Sequence, residues 1–98
     1  MTLWQARFHA WQTATREAHA RAERITRMIV DRARREAQAA GLDPTMPFLH
    51  AHNALCEPRW PGIDAARARR VLWLERRSWE PHRLASAYAA RTMPQAWD

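Results

Sequence analysis

Apolar residues recur every seven positions along the first part of the chain. One row is Trp4, Trp11, Ala18 and Ile25, and a second row, four residues further on, is Phe8, Thr15, Ala22 and Ile29. Both rows lie on one face of an α-helix, and no Gly or Pro interrupts residues 2–40. Thr2 and Gln5 fit a capping box at the start, and Gly41 suits the left-handed residue after the last turn. The pattern predicts one long helix over about residues 2–40.

The rest of the chain contains three further helical segments separated by proline-containing connectors. A short helix is predicted over about residues 47–56. Asp64 can cap a third helix that runs to about residue 78, and Pro81 fits the first turn of a fourth helix that runs to about residue 92. No segment alternates apolar and polar residues as a half-buried strand does. We therefore expect an all-α fold in a single domain, residues 1–98, with one long N-terminal helix and three shorter helices in a small bundle.

The length of the first helix predicts association. At 1.5 Å per residue it reaches about 57 Å, whereas a compact chain of this size is only about 32 Å across. The helix must therefore protrude, bend or pack on another copy. We expect a homo-oligomer whose seam is formed by the apolar rows, namely Trp4, Phe8, Trp11, Ala18, Ala22, Ile25 and Ile29.

The composition removes most enzyme classes. The chain has 98 residues, a net charge of +6, two Gly, one Cys, and 16 basic residues that are all Arg. Gly-rich phosphate loops need several glycines, and their best-known form also needs a Lys, so nucleotide sites of that kind are excluded. We expect a protein without catalytic activity or cofactor. Since no signal sequence or long apolar run is evident, we also expect a cytoplasmic protein that does not enter a membrane.

One small cluster could bind a metal ion. His52 and Cys56 are four residues apart and would share a helix face, with His50 beside them and His82 or Glu57 as further candidates. A structural zinc site needs four ligands, and this spacing certifies only two. We expect no metal, ordinary packed or solvated histidines, and a Cys56 that is buried as a small hydrophobic residue. A metal-dependent enzyme is the remote alternative.

The arginines of the first helix are partly neutralised by their neighbours. Glu17, Glu23 and Asp31 each precede an Arg by four residues, in the order that stabilises a helix. This face is expected to be a solvated surface rather than a phosphate-binding stripe. Arg7 and Arg16, near the start, have no such acid, so this part could instead lie on a membrane or in a partner's groove. We favour packing in a core or an oligomer, because the apolar rows continue well beyond it.

The third predicted helix carries the most informative surface. Ala68, Val71, Leu72 and Trp79 are expected to form its inner stripe, while Trp73 is framed by four arginines. The predicted partner-binding residues are Arg69, Arg70, Trp73, Arg76 and Arg77. Trp and Arg are enriched at binding hot spots, and a guanidinium can stack on an indole. The alternative is that Trp73 packs on the first helix beneath the arginine stems.

These features predict a small basic α-helical protein that acts by protein–protein interaction. It would regulate or inhibit a larger partner by occupying its surface, as small phage or mobile-element proteins do. The second hypothesis is a nucleic-acid-binding regulator that uses the Arg-rich faces. A helix-turn-helix formed by the second and third helices would suit that role, but six residues with two prolines separate the helices instead of the usual three or four.

Overall fold

The computed structural model describes residues 2–57 and 61–95, and within them the chain is helical with no strand. Three helices follow each other: α1 (Leu3–Ala40), α2 (Pro47–Cys56) and α3 (Ala65–Thr92). The all-α prediction is confirmed, and so are the positions of the first two helices. The number of helices is wrong, because the predicted third and fourth helices form a single helix of 28 residues.

The caps of α1 and α3 have the predicted geometry. The Gln5 amide donates to the Thr2 hydroxyl at 3.1 Å, and the Gln5 side-chain oxygen accepts from the Thr2 amide at 2.7 Å. After the last turn, Gly41 has a φ of 84° and the Leu42 amide donates to the Ala37 carbonyl at 2.8 Å. Local side-chain chemistry therefore determines where α1 begins and ends.

Helix α3 continues through Pro81, where the sequence predicted a break. Proline lacks the N–H that would bond to the carbonyl of Arg77, and this loss normally kinks or ends a helix. The neighbouring carbonyl of Ser78 accepts a hydrogen bond from the Thr26 hydroxyl of α1 at 3.2 Å. Ser78 and Ala85 are buried on either side of the proline. Packing against α1 thus holds both halves of α3 in line and overrides the local signal.

Helices α1 and α3 form an elongated antiparallel hairpin. Trp11, near the start of α1, donates its indole N–H to the carbonyl of Ala89, near the end of α3, at 3.0 Å. At the other end the Asp64 amide donates to the carbonyl of Ala40 at 3.1 Å. The molecule measures 65 × 19 × 16 Å, so the long helix extends well beyond the dimensions of a compact chain.

The main core lies at one end of the hairpin, where α2 packs across it. Its buried residues share small or aliphatic side chains: Ala37, Ala40, Leu42, Ala51, Ala54, Ala68 and Val71. Phe48, Leu55, Ile63 and Leu72 pack around them. We call this part, residues 37–74, the closed end. The part of the hairpin farthest from it, residues 3–25 with residues 81–92, is called the open end.

Two predictions about individual side chains are wrong. Cys56 is exposed, because α2 buries the face that contains Pro47, Ala51 and Ala54, and Cys56 lies about 200° round the helix from Ala54. Trp79 is 65% exposed, because Ser78 occupies the position that faces α1. Among the described helices, none has a stretch long and apolar enough to cross a membrane.

Candidate partner-binding surface

The predicted partner-binding residues lie along the exposed side of α3. Trp73 is 53% exposed, and the guanidinium carbon of Arg77 lies 4.5 Å from the centre of its ring. This distance is that of a cation–π contact. Arg69 and Arg70 line a cavity together with Trp73, and Arg76 is exposed two helical turns beyond Arg69. We call these five residues, Arg69, Arg70, Trp73, Arg76 and Arg77, the Trp73 patch.

A carboxylate on α1 connects the Trp73 patch to the rest of the hairpin. The two carboxylate oxygens of Glu36 each lie 3.5 Å from a guanidinium nitrogen, one on Arg67 and one on Arg70. The Glu36 side chain is only 14% exposed, whereas both arginines are about half exposed. This bridge between helices was not identified from the sequence. It holds Arg70 against α1 and leaves Trp73 at the surface.

Part of the predicted oligomer seam packs within the same chain, where Trp11 hydrogen-bonds to α3. Trp4, Phe8 and Trp11 stack on one another with ring centres 5.2 and 5.4 Å apart. Further along, Ala22 is buried, and Ala18 and Ile29 are half buried. The seam residue that faces solvent most is Ile25, which is 48% exposed. The seam therefore contributes to the fold, and its role between copies stays a prediction.

A groove runs from the Trp73 patch along one side of the hairpin. Its apolar side chains are Ile25 and Met28 from α1 and Leu84 and Tyr88 from α3, all between 42% and 71% exposed. We call this surface the hairpin groove. Sequence reasoning missed Met28, Leu84 and Tyr88. A sequence signal for the α3 residues existed, because residues 73, 77, 81, 84 and 88 lie at the three- and four-residue spacing of one helix face. It was not used in the sequence analysis, because a helix break was placed at Pro81.

Arginines outnumber carboxylates along the hairpin groove. The basic residues that line the groove are Arg21, Arg32, Arg35, Arg69 and Arg70. Asp31 also lines it, and its carboxylate lies 3.7 Å from the guanidinium of Arg34. Glu23 lies two residues after Arg21, and Glu75 lies two residues after Trp73. Each carboxylate is therefore about 200° round its helix from a groove residue. The groove therefore carries an excess of arginine, with Asp31 as the carboxylate among its lining residues.

Two histidines contact the carboxylates Glu23 and Glu75. The Nε2 atom of His52 lies 2.9 Å from Glu75, and that of His82 lies 3.2 Å from Glu23. The rings of His19 and His82 stack with centres 6.1 Å apart. Within residues 2–57 and 61–95, no three His, Cys, Asp or Glu side chains are arranged to hold a metal ion. The structure places His52 against α3 and Cys56 in solvent, not on a shared site.

One carboxyl group has a clearly shifted acidity. The backbone N–H of Thr45 donates to the Asp43 carboxylate at 2.9 Å, and the Thr45 hydroxyl donates to the same oxygen at 2.7 Å. These bonds, the backbone one first, lower the pKa of Asp43 below its ordinary value. Asp43 lies in the connector between α1 and α2, where it shapes the turn at the closed end.

Known proteins offer no guide to this surface. The chain matches no protein-family model, no curated protein and no solved structure at a significant level. The chemistry of its own residues must therefore carry the functional argument.

Proposed function

We propose that this protein is a non-enzymatic binding protein that regulates or inhibits a larger protein by docking on it through the Trp73 patch. The observation that carries the proposal is a half-exposed tryptophan held by an arginine on a long, well-supported helix. Large side chains of these two types dominate the energy of protein interfaces. An isolated exposed Leu or Met would carry no such weight.

The geometry of the Trp73 patch reduces the cost of binding. Ordering a flexible side chain at an interface costs about 0.5–1.5 kcal/mol. Arg77 already lies over the Trp73 ring, and Glu36 already holds Arg70, so part of this ordering precedes the encounter. The patch therefore resembles a preformed anchor more than a set of free surface charges.

Nucleic acid is the second candidate, because the same face carries an excess of arginine. Phosphates would satisfy Arg69 and Arg70, but they offer little to the exposed apolar groups beside them. Met28 is 71% exposed and Leu84 is 56% exposed along the same side of the hairpin. Covering such groups favours a partner with apolar side chains. This observation ranks a protein partner first.

The test is affinity capture from nuclease-treated native lysate, with quantification of the captured protein. We expect Trp73→Ala to weaken the complex by about 2 kcal/mol or more, roughly thirtyfold. Trp79→Ala is the matched control, since Trp79 is an equally large, exposed side chain on the same helix and lies outside the patch. Equal capture by both variants would contradict the proposal.

A salt titration separates the two candidates. If arginines bind phosphates, affinity for generic duplex or single-stranded nucleic acid falls by orders of magnitude between low and physiological salt. The double variant Arg70→Ala, Arg77→Ala would then flatten the slope by about two units. We expect weak binding to nucleic acid instead. Tight binding that this double variant abolishes would replace the protein partner with nucleic acid.

A further inference from the structure

We infer that the hairpin groove binds an amphipathic helix of the partner whose apolar stripe is flanked by carboxylates. This inference rests on the proposed function, because it names the chemistry of the partner that meets the Trp73 patch. It goes further by extending the contact from the Trp73 patch along the hairpin groove. Three observations lead to it: the continuity of the groove, its spacing and its charge.

The groove is one continuous surface. It consists of three neighbouring cavities, one beside Trp73, one beside Met28 and one beside Leu84. The first two share the lining residues Arg32 and Leu74, and the last two share Ile25. Along α1 the cavities extend from Arg35 to Ala18, which is about 26 Å of helix. A bound helix of about five turns has the same length.

The spacing of the exposed apolar groups suits a third helix. On α1 the groove residues Ala18, Ile25 and Met28 succeed one another at multiples of three to four residues. On α3 the groove residues Pro81, Leu84 and Tyr88 are three and four residues apart. Two parallel rows with this period form the concave surface into which the side chains of an added helix insert. An extended strand would place its side chains at a different period.

The charge of the groove selects the partner. Five arginines line it, of which Arg70 already contacts Glu36, and the Asp31 carboxylate, which lines it too, lies close to Arg34. A bound helix therefore meets arginines of α1 along the length of the groove and arginines of α3 at its Trp73 end. Carboxylates beside its apolar stripe form charge-assisted contacts, whereas Lys or Arg would be repelled.

The same charge argues against a second copy of this chain in the groove. A twofold dimer buries the same surface on both subunits, so the arginines of one copy would face those of the other. The carboxylates that could neutralise them are already engaged, because Asp31 and Glu36 contact arginines of their own chain and Glu23 and Glu75 contact histidines. An acidic helix satisfies both the apolar floor and the arginines.

The experiment measures binding of the intact protein to three synthetic peptides of about 20 residues by fluorescence anisotropy. The first has leucines at alternating three- and four-residue spacing with glutamates beside them. The second keeps the leucines and replaces the glutamates with lysines, and the third has the composition of the first in scrambled order. We expect the first peptide to bind at least tenfold more tightly than either of the others.

Two protein variants locate the site. Met28→Glu places a negative charge in the groove at a position that is 71% exposed, so folding is not at risk. Leu49→Glu is the matched control on α2, at a position that is 49% exposed. The first variant is expected to weaken the acidic peptide at least tenfold, and the second to leave it unchanged. Circular dichroism verifies that both variants remain helical.

Three results would overturn the inference: equal binding of the ordered and scrambled acidic peptides, equal binding of the basic peptide, or a dimer by light scattering that Met28→Glu dissociates. The last would assign the groove to a second copy. The proposed function fails on different data, since lysate capture insensitive to Trp73→Ala refutes the patch even if the acidic peptide binds. Conversely, Trp73-dependent capture without peptide preference retains the proposed function and removes this inference.

Discussion

The two ends of the hairpin are built differently. At the closed end, α2 covers α1 and α3 and completes a core in which Ala51, Ala68 and Val71 have no exposed surface. At the open end two helices pack only on each other, mainly through alanines and the hydrogen bond from Trp11 to Ala89. Large apolar side chains such as Leu84 and Tyr88 remain exposed there.

The difference shows how a chain of 98 residues can combine a buried core with a large exposed apolar surface. A small domain buries a limited share of its apolar area, and this one concentrates that burial at one end. The helices then extend beyond the core and present a groove. We therefore expect stability to depend on the buried core of the closed end and binding to depend on the exposed Trp73 patch and hairpin groove, which mutations can test separately.

The largest expected effect is at the core. Val71→Ala removes two methyl groups from a fully buried side chain and should lower the free energy of unfolding by about 2 kcal/mol. Leu84→Ala, at an exposed position of the open end, should change it by less than about 0.5 kcal/mol. Urea denaturation of both variants measures the difference. Similar losses would show that the two ends contribute equally.

The second prediction concerns the turn that joins α1 to the closed end. Gly41 has a φ of 84°, and a Cβ there would lie 3.0 Å from the carbonyl oxygen of Gly62. Gly41→Ala should therefore destabilise the protein by about 1–2 kcal/mol, from backbone strain together with this contact.

Gly62→Ala separates the two causes. Gly62 also has a positive φ, of 74°, but a Cβ there would meet nothing within 4 Å. It should carry the strain alone and lose less stability than Gly41→Ala in thermal denaturation. If the two variants lose the same amount, the close approach of the two turns contributes nothing.

The third prediction moves to the open end. Trp11→Phe keeps an aromatic ring and removes the N–H that donates to the Ala89 carbonyl, so we expect a loss of about 1 kcal/mol. Trp4→Phe is the control, because the indole N–H of Trp4 is buried and no described residue accepts from it. Its removal should be neutral or stabilising. Hydrogen exchange should show faster opening of residues 81–92 only in Trp11→Phe.

Contacts between residues that are close in the sequence could be predicted from the sequence. The capping box of Thr2 and Gln5, the turn at Gly41 and the N-cap at Asp64 depend on local side-chain chemistry, and the structure has all three. The stacking of Arg77 on Trp73 follows from a spacing of four residues on one helix. Such contacts need no knowledge of the tertiary fold.

Features that depend on contact between helices could not be predicted. Pro81 is a helix breaker by local rules, and only the packing of Ser78 and Ala85 on α1 keeps α3 continuous. Missing this continuity also hid the groove, because its α3 row crosses the proline. Glu36 and Arg70 are 34 positions apart in the sequence, and they come into contact only because α1 and α3 pack side by side in the hairpin.

The smallest expected effect lies in the connector at the closed end and depends on pH. The folded-state pKa of Asp43 is lowered by the hydrogen bonds from Thr45. The ionised carboxylate therefore stabilises the folded protein above the unfolded-state pKa, and this contribution is lost as the pH falls through the folded-state pKa. Asp43→Asn should accordingly be less stable than the original protein near neutral pH, and the stabilities of the two proteins should converge in acid.

Thr45→Ala is the control for this prediction. It keeps the backbone donor, which has the larger effect, and removes only the hydroxyl, so most of the pH dependence of stability should remain in this variant. Urea denaturation at about pH 7 and about pH 2.5 measures all three proteins. A stability difference between the original protein and Asp43→Asn that stays constant over this range would mean that the carboxylate charge has no part in holding the turn.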